Sequence, residues 1–173
     1  MGTSKSLTIN QIVEIFNDFA NRHLQINDFY IGAVDKIGDS KEFVYPLFAA
    51  IPGDIIIGSN QSNGIQRTAE FRFTILAADL EKRDDSNETE LRSDMVQILS
   101  DFIAECDENE FFYTNQIEVI GDLVMTPFTE RFSDLVTGYA LQFNLRVPFR
   151  YLYCEAPAAI KEDKKIIGKF MGK

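Results

Sequence analysis

The sequence has little of what catalysis, secretion or a membrane span requires. Its 173 residues include one histidine, two cysteines and no tryptophan. No apolar run approaches the roughly 18 residues that cross a bilayer, so we expect no membrane partner. The N-terminal residues lack an apolar stretch of the secretory type, which favours synthesis in the cytoplasm. With 10 glycines and 5 prolines, the chain is neither collagen-like nor of low complexity.

Negative charge is what the sequence has in excess. The net charge is −10, which argues against broad contact with nucleic-acid phosphates. Residues 79–110 hold 12 acids and three bases, whereas residues 155–173 hold five lysines and three acids. The apolar fraction of 45% is enough for one buried core. We therefore predict a single domain over residues 1–154, followed by a basic C-terminal extension over residues 155–173.

Apolar periodicity predicts an α+β fold. Apolar residues spaced three and four apart predict helices over 7–22 and from 87 to about 106. Each helix is predicted to begin with a capping box, formed by Thr8 with Gln11 in the first and by Asn87 with Glu90 in the second. Strands are predicted over 29–37, 43–51, 54–58, 67–78, 117–120, 123–128 and 138–147, with a turn at 38–40 and with Pro148 ending the last ladder. The order of elements favours a mostly antiparallel β-sheet with the two amphipathic helices packed on one face.

The candidate catalytic residues lack the partners that catalysis needs. His23 lies at the end of the first helix without a nearby nucleophile, so we expect a solvated side chain or one that contacts the terminal carbonyls. Cys106 and Cys154 lie far apart and are expected to be buried thiols. A group of acidic residues could coordinate a hard cation, but their spacing lacks the central Gly and the terminal Glu of a calcium loop. These residues are Asp79, Glu81, Asp84, Asp85 and Glu88. We predict no enzyme, no metal and no cofactor.

Polar positions on the alternating strands suggest a surface for neighbouring subunits. One side of the strand over 138–147 carries Gln142, Asn144 and Arg146. A polar stretch rich in turn-forming residues contains Ser59, Asn60 and Asn63. We predict that these six residues lie at or near subunit contacts instead of facing only water.

The C-terminal third resembles a protein family. It reads Thr126 to Asp134, then Gly138-Tyr139, then an alternating strand over Leu141 to Val147 that ends in Pro148-Phe149. This order of short strand, acidic loop, Gly-aromatic pair and alternating strand is similar to bacteriophage tail-terminator, or tail-completion (neck), proteins. Related tail-tube and tail-hub ring subunits share the pattern. Size and element order agree with the family from residue 7 to residue 154.

The resemblance implies a structural virion protein, made in the host cytoplasm, that forms a six-fold or twelve-fold ring in the tail or neck. Such a ring caps the tail tube or joins it to the head connector. Its neighbours would be connector or portal-side proteins and tail-tube or hub proteins. DNA would pass through without sequence-specific binding, because like charge repels phosphate. The residues expected at the lumen or rim are Asp79, Glu81, Asp84, Asp85 and Glu88.

Two other interpretations stay open. One is a cytosolic, non-catalytic protein-binding adaptor of the same α+β fold, which would expose an apolar groove. The other is an enzyme whose site is completed by a partner or a metal, which would need a concave pocket with convergent polar groups. A ring subunit should instead make large self-contacts, conventionally above about 1,000 Å².

Overall fold

The computed structural model describes residues 8–33, 37, 43–58, 67–81, 87–131 and 135–149, so the predicted extension over 155–173 lies outside it. The helices of this part are α1 (Ile9–Arg22), α2 (Glu88–Glu108) and α3 (Glu110–Thr114). The strands are β1 (Asp28–Ile31), β2 (Leu47–Ile57), β3 (Arg67–Leu80), β4 (Glu118–Ile120), β5 (Met125–Arg131) and β6 (Leu135–Phe149).

The strands form one six-stranded sheet in the order β1-β2-β3-β6-β4, with β5 also paired to β6. β5 and β4 lie one after the other along the edge of β6 that faces away from β3. Every pairing is antiparallel except that of β1 with β2. The predicted α+β class with a mostly antiparallel sheet is therefore confirmed.

The longest ladder joins β3 to β6. It runs without interruption from the pair Arg67 and Phe149 to the pair Leu80 and Val136. Pro148 was expected to end this ladder, but it lies within it opposite Thr68. The pairing of β4 with β6 stops at Arg146, so within the described residues β6 is an edge strand on that side at Pro148. Proline has no N–H to donate, and it is tolerated at such an edge.

The larger hydrophobic cluster lies between this ladder and the two long helices, and a smaller one, which includes Ile37, Leu47 and Leu76, lies on the other side of the sheet. Phe16 of α1 meets Phe73 and Phe102 with ring centroids 5.2 Å apart in both cases, and Phe102 meets Phe143 at 5.0 Å. All four rings are almost fully buried. The face of the sheet that packs on α1 and α2 is called the helix-covered face below, and the opposite one the second face.

The helix termini differ in how well the sequence predicted them. α1 begins with the predicted capping box, in which Thr8 Oγ1 accepts from the N–H of Gln11 and the Gln11 side chain accepts from the N–H of Thr8. At α2, the predicted box is wrong because the Asn87 backbone (φ −119°, ψ 7°) lacks the extended conformation of a cap. α3 was not predicted, and Asn109 caps it by accepting from two backbone N–H groups.

The first strands pair differently from the prediction. β1 and β2 run parallel, so they do not form a hairpin, and the predicted turn at 38–40 lies outside the described residues. The two strands predicted over 43–51 and 54–58 are a single strand, β2. This strand passes through Pro52 and Gly53 with a shift in its register against β3. Within the described ranges, no helix is long and apolar enough to cross a membrane.

Candidate subunit interface

The second face of the sheet carries the polar side chains that the sequence singled out. Gln142 of β6 lies opposite Thr74 of β3, and its amide donates to the Thr74 hydroxyl at 3.4 Å. Next along the strand, Asn144 is opposite Arg72. The strand pairing aligns these groups because residues two apart share a face. Gln142 is exposed and Asn144 is half-buried, so both remain accessible for contact.

Two arginines of this face form ion pairs with glutamates. Arg146 Nη1 lies 3.3 Å from Glu118 Oε2 on β4, and Arg72 Nε lies 2.9 Å from Glu70 Oε1. Exposed pairs of this kind contribute little to stability, about 0–1 kcal/mol each. The part of the face around these two pairs is therefore polar and locally neutral, a character that suits either water or a polar neighbour. Ser59, Asn60 and Asn63 lie outside the described residues.

The two edges of the sheet carry exposed apolar side chains. On the β2 edge, Ile55, Ile56 and Ile57 are 46%, 42% and 50% exposed. Within the described ranges, β2 pairs with β1 only from Leu47 to Ala50, and no strand lies along the outer side of β2 beyond that point. The three isoleucines are therefore placed at an open strand edge, where apolar side chains and unpaired backbone groups favour association.

The opposite edge carries a second apolar patch. Leu123 and Val124, between β4 and β5, are 37% and 53% exposed. The Val124 carbonyl accepts from the N–H of Gln142, which fixes this segment beside β6. In the described part of the chain, β4 and β5 pair with β6 alone, so their outer sides are also open. Each edge of the sheet thus presents its own apolar surface.

The acidic residues predicted at a lumen or rim occupy varied environments. Asp79 is half-buried, and desolvation raises the pKa of its carboxyl, an effect that nearby Asp94 reinforces. Glu81 is buried. Glu88 forms an ion pair with Arg92 one turn along α2, at 2.5 Å. Asp84 and Asp85 lie outside the described residues.

Among the described residues of this region, the exposed acids lie on α2 and α3. They are Glu90, Asp94, Asp107, Glu108 and Glu110. The last turn of α2 contains no basic residue, although the helix dipole favours cations there. Asp107 and Glu108 lie at the end of the helix that the dipole makes unfavourable for acids, whereas Glu90 lies in the first turn, where acids are favourable.

No protein-family model and no curated protein matches this chain. Its function is therefore inferred from the fold and from the chemistry of its surfaces.

The potential catalytic groups of the described residues are held in structural contacts. Cys106 is buried, and burial raises the pKa of its thiol, which keeps it protonated and poorly nucleophilic. His23 contacts Asp101 on α2 instead of the carbonyls of its own helix. Within the described ranges, no three His, Cys, Asp or Glu side chains are grouped so that they could hold a metal ion.

A pocket of about 260 Å³ lies on the second face, where β2, β3, β5 and β6 meet. Its apolar lining includes Leu47, Ile51, Leu76, Phe128, Val136 and Ala140. Thr74 and Glu130 are the polar residues among the described lining. Leu76 and Ala140 lie opposite each other on β3 and β6, on the face where the adjacent pair of these strands, Thr74 and Gln142, is polar. This break in the polar side of the two alternating strands is the sequence signal that could have predicted the pocket.

Proposed function

We propose that this protein is a ring-forming structural subunit of a bacteriophage tail or neck, where it caps the tail tube or joins it to the head connector. The observation that carries the proposal is the pair of apolar patches on opposite edges of one sheet, Ile55–Ile57 and Leu123–Val124. A ring needs two different surfaces on each subunit, joined head to tail. A sheet with an apolar patch at each edge supplies two such surfaces.

Side-chain packing is the main contact that we expect between neighbouring subunits. Pro52 lacks a backbone donor, and the register shift that follows it bends the edge of β2. Both features oppose a long, continuous ladder between two copies. Beyond the bend, the isoleucines of one subunit would pack on Leu123 and Val124 of the next.

The acidic surface of α2 and α3 supports a position beside DNA. A channel through which DNA moves must not bind phosphate, and a wall of carboxylates repels it. The exposed acids of α2 and α3 would provide such carboxylates: Glu90, Asp94, Asp107, Glu108 and Glu110. In this proposal they face the lumen or the rim, whereas half-buried Asp79 and buried Glu81 contribute less to it.

Imaging of the purified chain tests this proposal. Negative-stain electron microscopy should show closed rings with a central hole. Gln142→Lys combined with Asn144→Lys tests the second face, because two added charges at a polar contact would weaken assembly. Unchanged rings in that variant would remove this part of β6 from the interface.

The alternative function is a non-catalytic adaptor that binds another protein. The apolar pocket on the second face favours it, because an adaptor needs a concave apolar surface for a partner's side chain. An adaptor would be a monomer of 19.7 kDa without rings. Images without rings, together with a monomeric mass, would therefore favour the adaptor.

A further inference from the structure

The pocket on the second face has a composition that selects its occupant. Apolar side chains from four strands form its wall, and the carboxylate of Glu130 is placed at its lining. Glu130 is exposed, so it stays in contact with solvent at the mouth of the pocket. This arrangement suits an apolar group that is followed or preceded by a cation, since a buried apolar contact and an exposed attraction would act together.

The C-terminal segment of the chain has this chemistry. Residues 164–173 read Lys-Lys-Ile-Ile-Gly-Lys-Phe-Met-Gly-Lys, with four lysines and no acid. The aromatic side chain of Phe170 directly follows Lys169. The rest of the chain is strongly acidic: the net charge is −10, and residues 155–173 contribute +2, which leaves −12 for residues 1–154. Attraction to the body therefore favours docking of this segment on its surface.

The size of the pocket agrees with a phenyl ring. Apolar cavities of about 150 Å³ bind benzene. A pocket of about 260 Å³ therefore accommodates the ring of Phe170 with part of a neighbouring aliphatic side chain. Phe128 and Leu76 in the lining would supply the apolar contacts.

The chain is long enough to reach the pocket. β6 ends at Phe149, and Ala140 in the pocket lies nine residues back along the strand, or about 30 Å at about 3.3 Å per residue. The 21 residues from 150 to 170 span up to about 70 Å when extended. The segment can thus return along the second face with slack to spare.

We propose that the C-terminal segment around Phe170 docks into this pocket of its own chain, with the phenyl ring inside and Lys169 beside Glu130. The docked segment fills the pocket beside Ile37, which already packs on this part of the second face. This inference does not depend on ring formation, because both surfaces belong to one chain.

Tryptophan fluorescence of the full-length chain tests this docking. The protein contains no tryptophan, so Phe170→Trp introduces the sole reporter. Its matched reference is Tyr113→Trp, since Tyr113 is 88% exposed on α3. Docking predicts emission at shorter wavelength than the reference and several-fold weaker quenching by acrylamide. Emission and quenching equal to those of the reference would overturn the proposal.

Two pocket variants in the Phe170→Trp background identify the occupied surface. Ala140→Phe fills the pocket, and Glu130→Lys reverses the charge at its mouth; each should shift the emission toward that of the exposed reference. Glu108→Lys, at an exposed position of α2, should leave it unchanged. If Ala140→Phe does not fold, Glu130→Lys at its exposed position still decides. If neither pocket variant changes the emission, the segment does not dock in this pocket. If the blue shift appears only as the protein concentration rises, the segment docks on another copy, and docking within one chain is overturned.

Discussion

His23 Nε2, at the C-terminal end of α1, lies 3.2 Å from Asp101 Oδ2 in α2. The other ring nitrogen, Nδ1, accepts from the N–H of Gln25 at 3.3 Å. Because Nδ1 accepts, the hydrogen-bond pattern assigns the proton to Nε2, which donates to Asp101. The second oxygen of Asp101 accepts from Gln97 at 2.8 Å. The only histidine of the chain therefore joins the two long helices.

A double-mutant cycle measures this contact. His23→Ala and Asp101→Ala should each destabilise the fold, and the pair should show a coupling of about 1 kcal/mol in urea unfolding, as expected for a hydrogen bond between helices. Leu24, 99% exposed, is the matched control: Leu24→Ala should show no coupling with Asp101→Ala. Additive effects of the His23 and Asp101 substitutions would contradict the contact.

Gly138 permits the close approach of β6 to β3. A Cβ at this position would overlap the carbonyl oxygen of Ala77 and lie 2.9 Å from the Ala78 Cα, and both atoms belong to backbone that cannot rotate away. Gly138→Ala should therefore lower the free energy of unfolding by about 3 kcal/mol, in the range of overpacked cores. Gly58→Ala is the control, because its Cβ would be 3.4 Å from the nearest atom. Equal stability of the two variants would contradict this packing.

Asp79 should make stability depend on pH. Desolvation raises the pKa of its carboxyl in the folded state, so the folded state binds a proton more tightly than the unfolded one. Ionised Asp79 therefore destabilises the fold at neutral pH. Asp79→Asn, which keeps an acceptor for the Leu80 N–H, should stabilise the protein there, and the gain should disappear as the pH falls below the unfolded value of about 3.9.

Thermal unfolding across this pH range checks the prediction for Asp79. Asp122→Asn, at an exposed position, is the matched control and should change stability little at any pH. A variant Asp79→Asn that is less stable than the natural chain at pH 7 would contradict the burial of an ionised carboxyl.

The acidic surface should govern contact with duplex DNA. Asp107, Glu108 and Glu110 are exposed at the junction of α2 and α3. Replacing all three by lysine should create salt-sensitive retention of duplex DNA in a gel-shift assay, while the natural chain retains none. A variant with Asn, Gln and Gln at these positions removes charge without reversing it and should bind much less. Retention of DNA by the natural chain would contradict a repelling channel wall.

Sequence patterns predicted the elements of the fold better than their pairing. Strict alternation over residues 67–78 and 138–147 predicted two strands and the buried side of each, because the period of two is a local property; that the two strands pair with each other was not predicted. The parallel pairing of β1 with β2 depends on distant parts of the chain, so local alternation did not reveal it. α3 has five residues, too few for apolar periodicity to be recognised.

The candidate interface was predicted only in part for a related reason. Counting charges located the acidic region, but burial separates Glu81 from exposed Asp107, and burial depends on how β3 packs against α2. The run Ile55 to Ile57 predicted a strand correctly. Its exposure follows from where β1 ends along β2, which no property of the run itself indicates. Whether the six predicted contact residues meet a neighbour remains a prediction.

Head-to-tail assembly through the two edges of the sheet can be tested by disabling each edge in turn. Ile57→Lys disables the β2 edge, and Val124→Lys disables the opposite edge; both positions are half-exposed, so each variant should still fold. Tyr113→Lys, at an exposed position on α3, is the control and should assemble as the natural chain does.

The decisive measurement is the solution mass of the natural chain, of each edge variant and of their equimolar mixture, by sedimentation velocity. We expect closed rings of the natural chain, with a mass near six or twelve times 19.7 kDa, and single chains for each variant alone. The mixture should form dimers only, because one intact edge from each partner can meet and the ring cannot close. A natural chain that stays monomeric, or edge variants that assemble as it does, would rule out head-to-tail assembly through these edges.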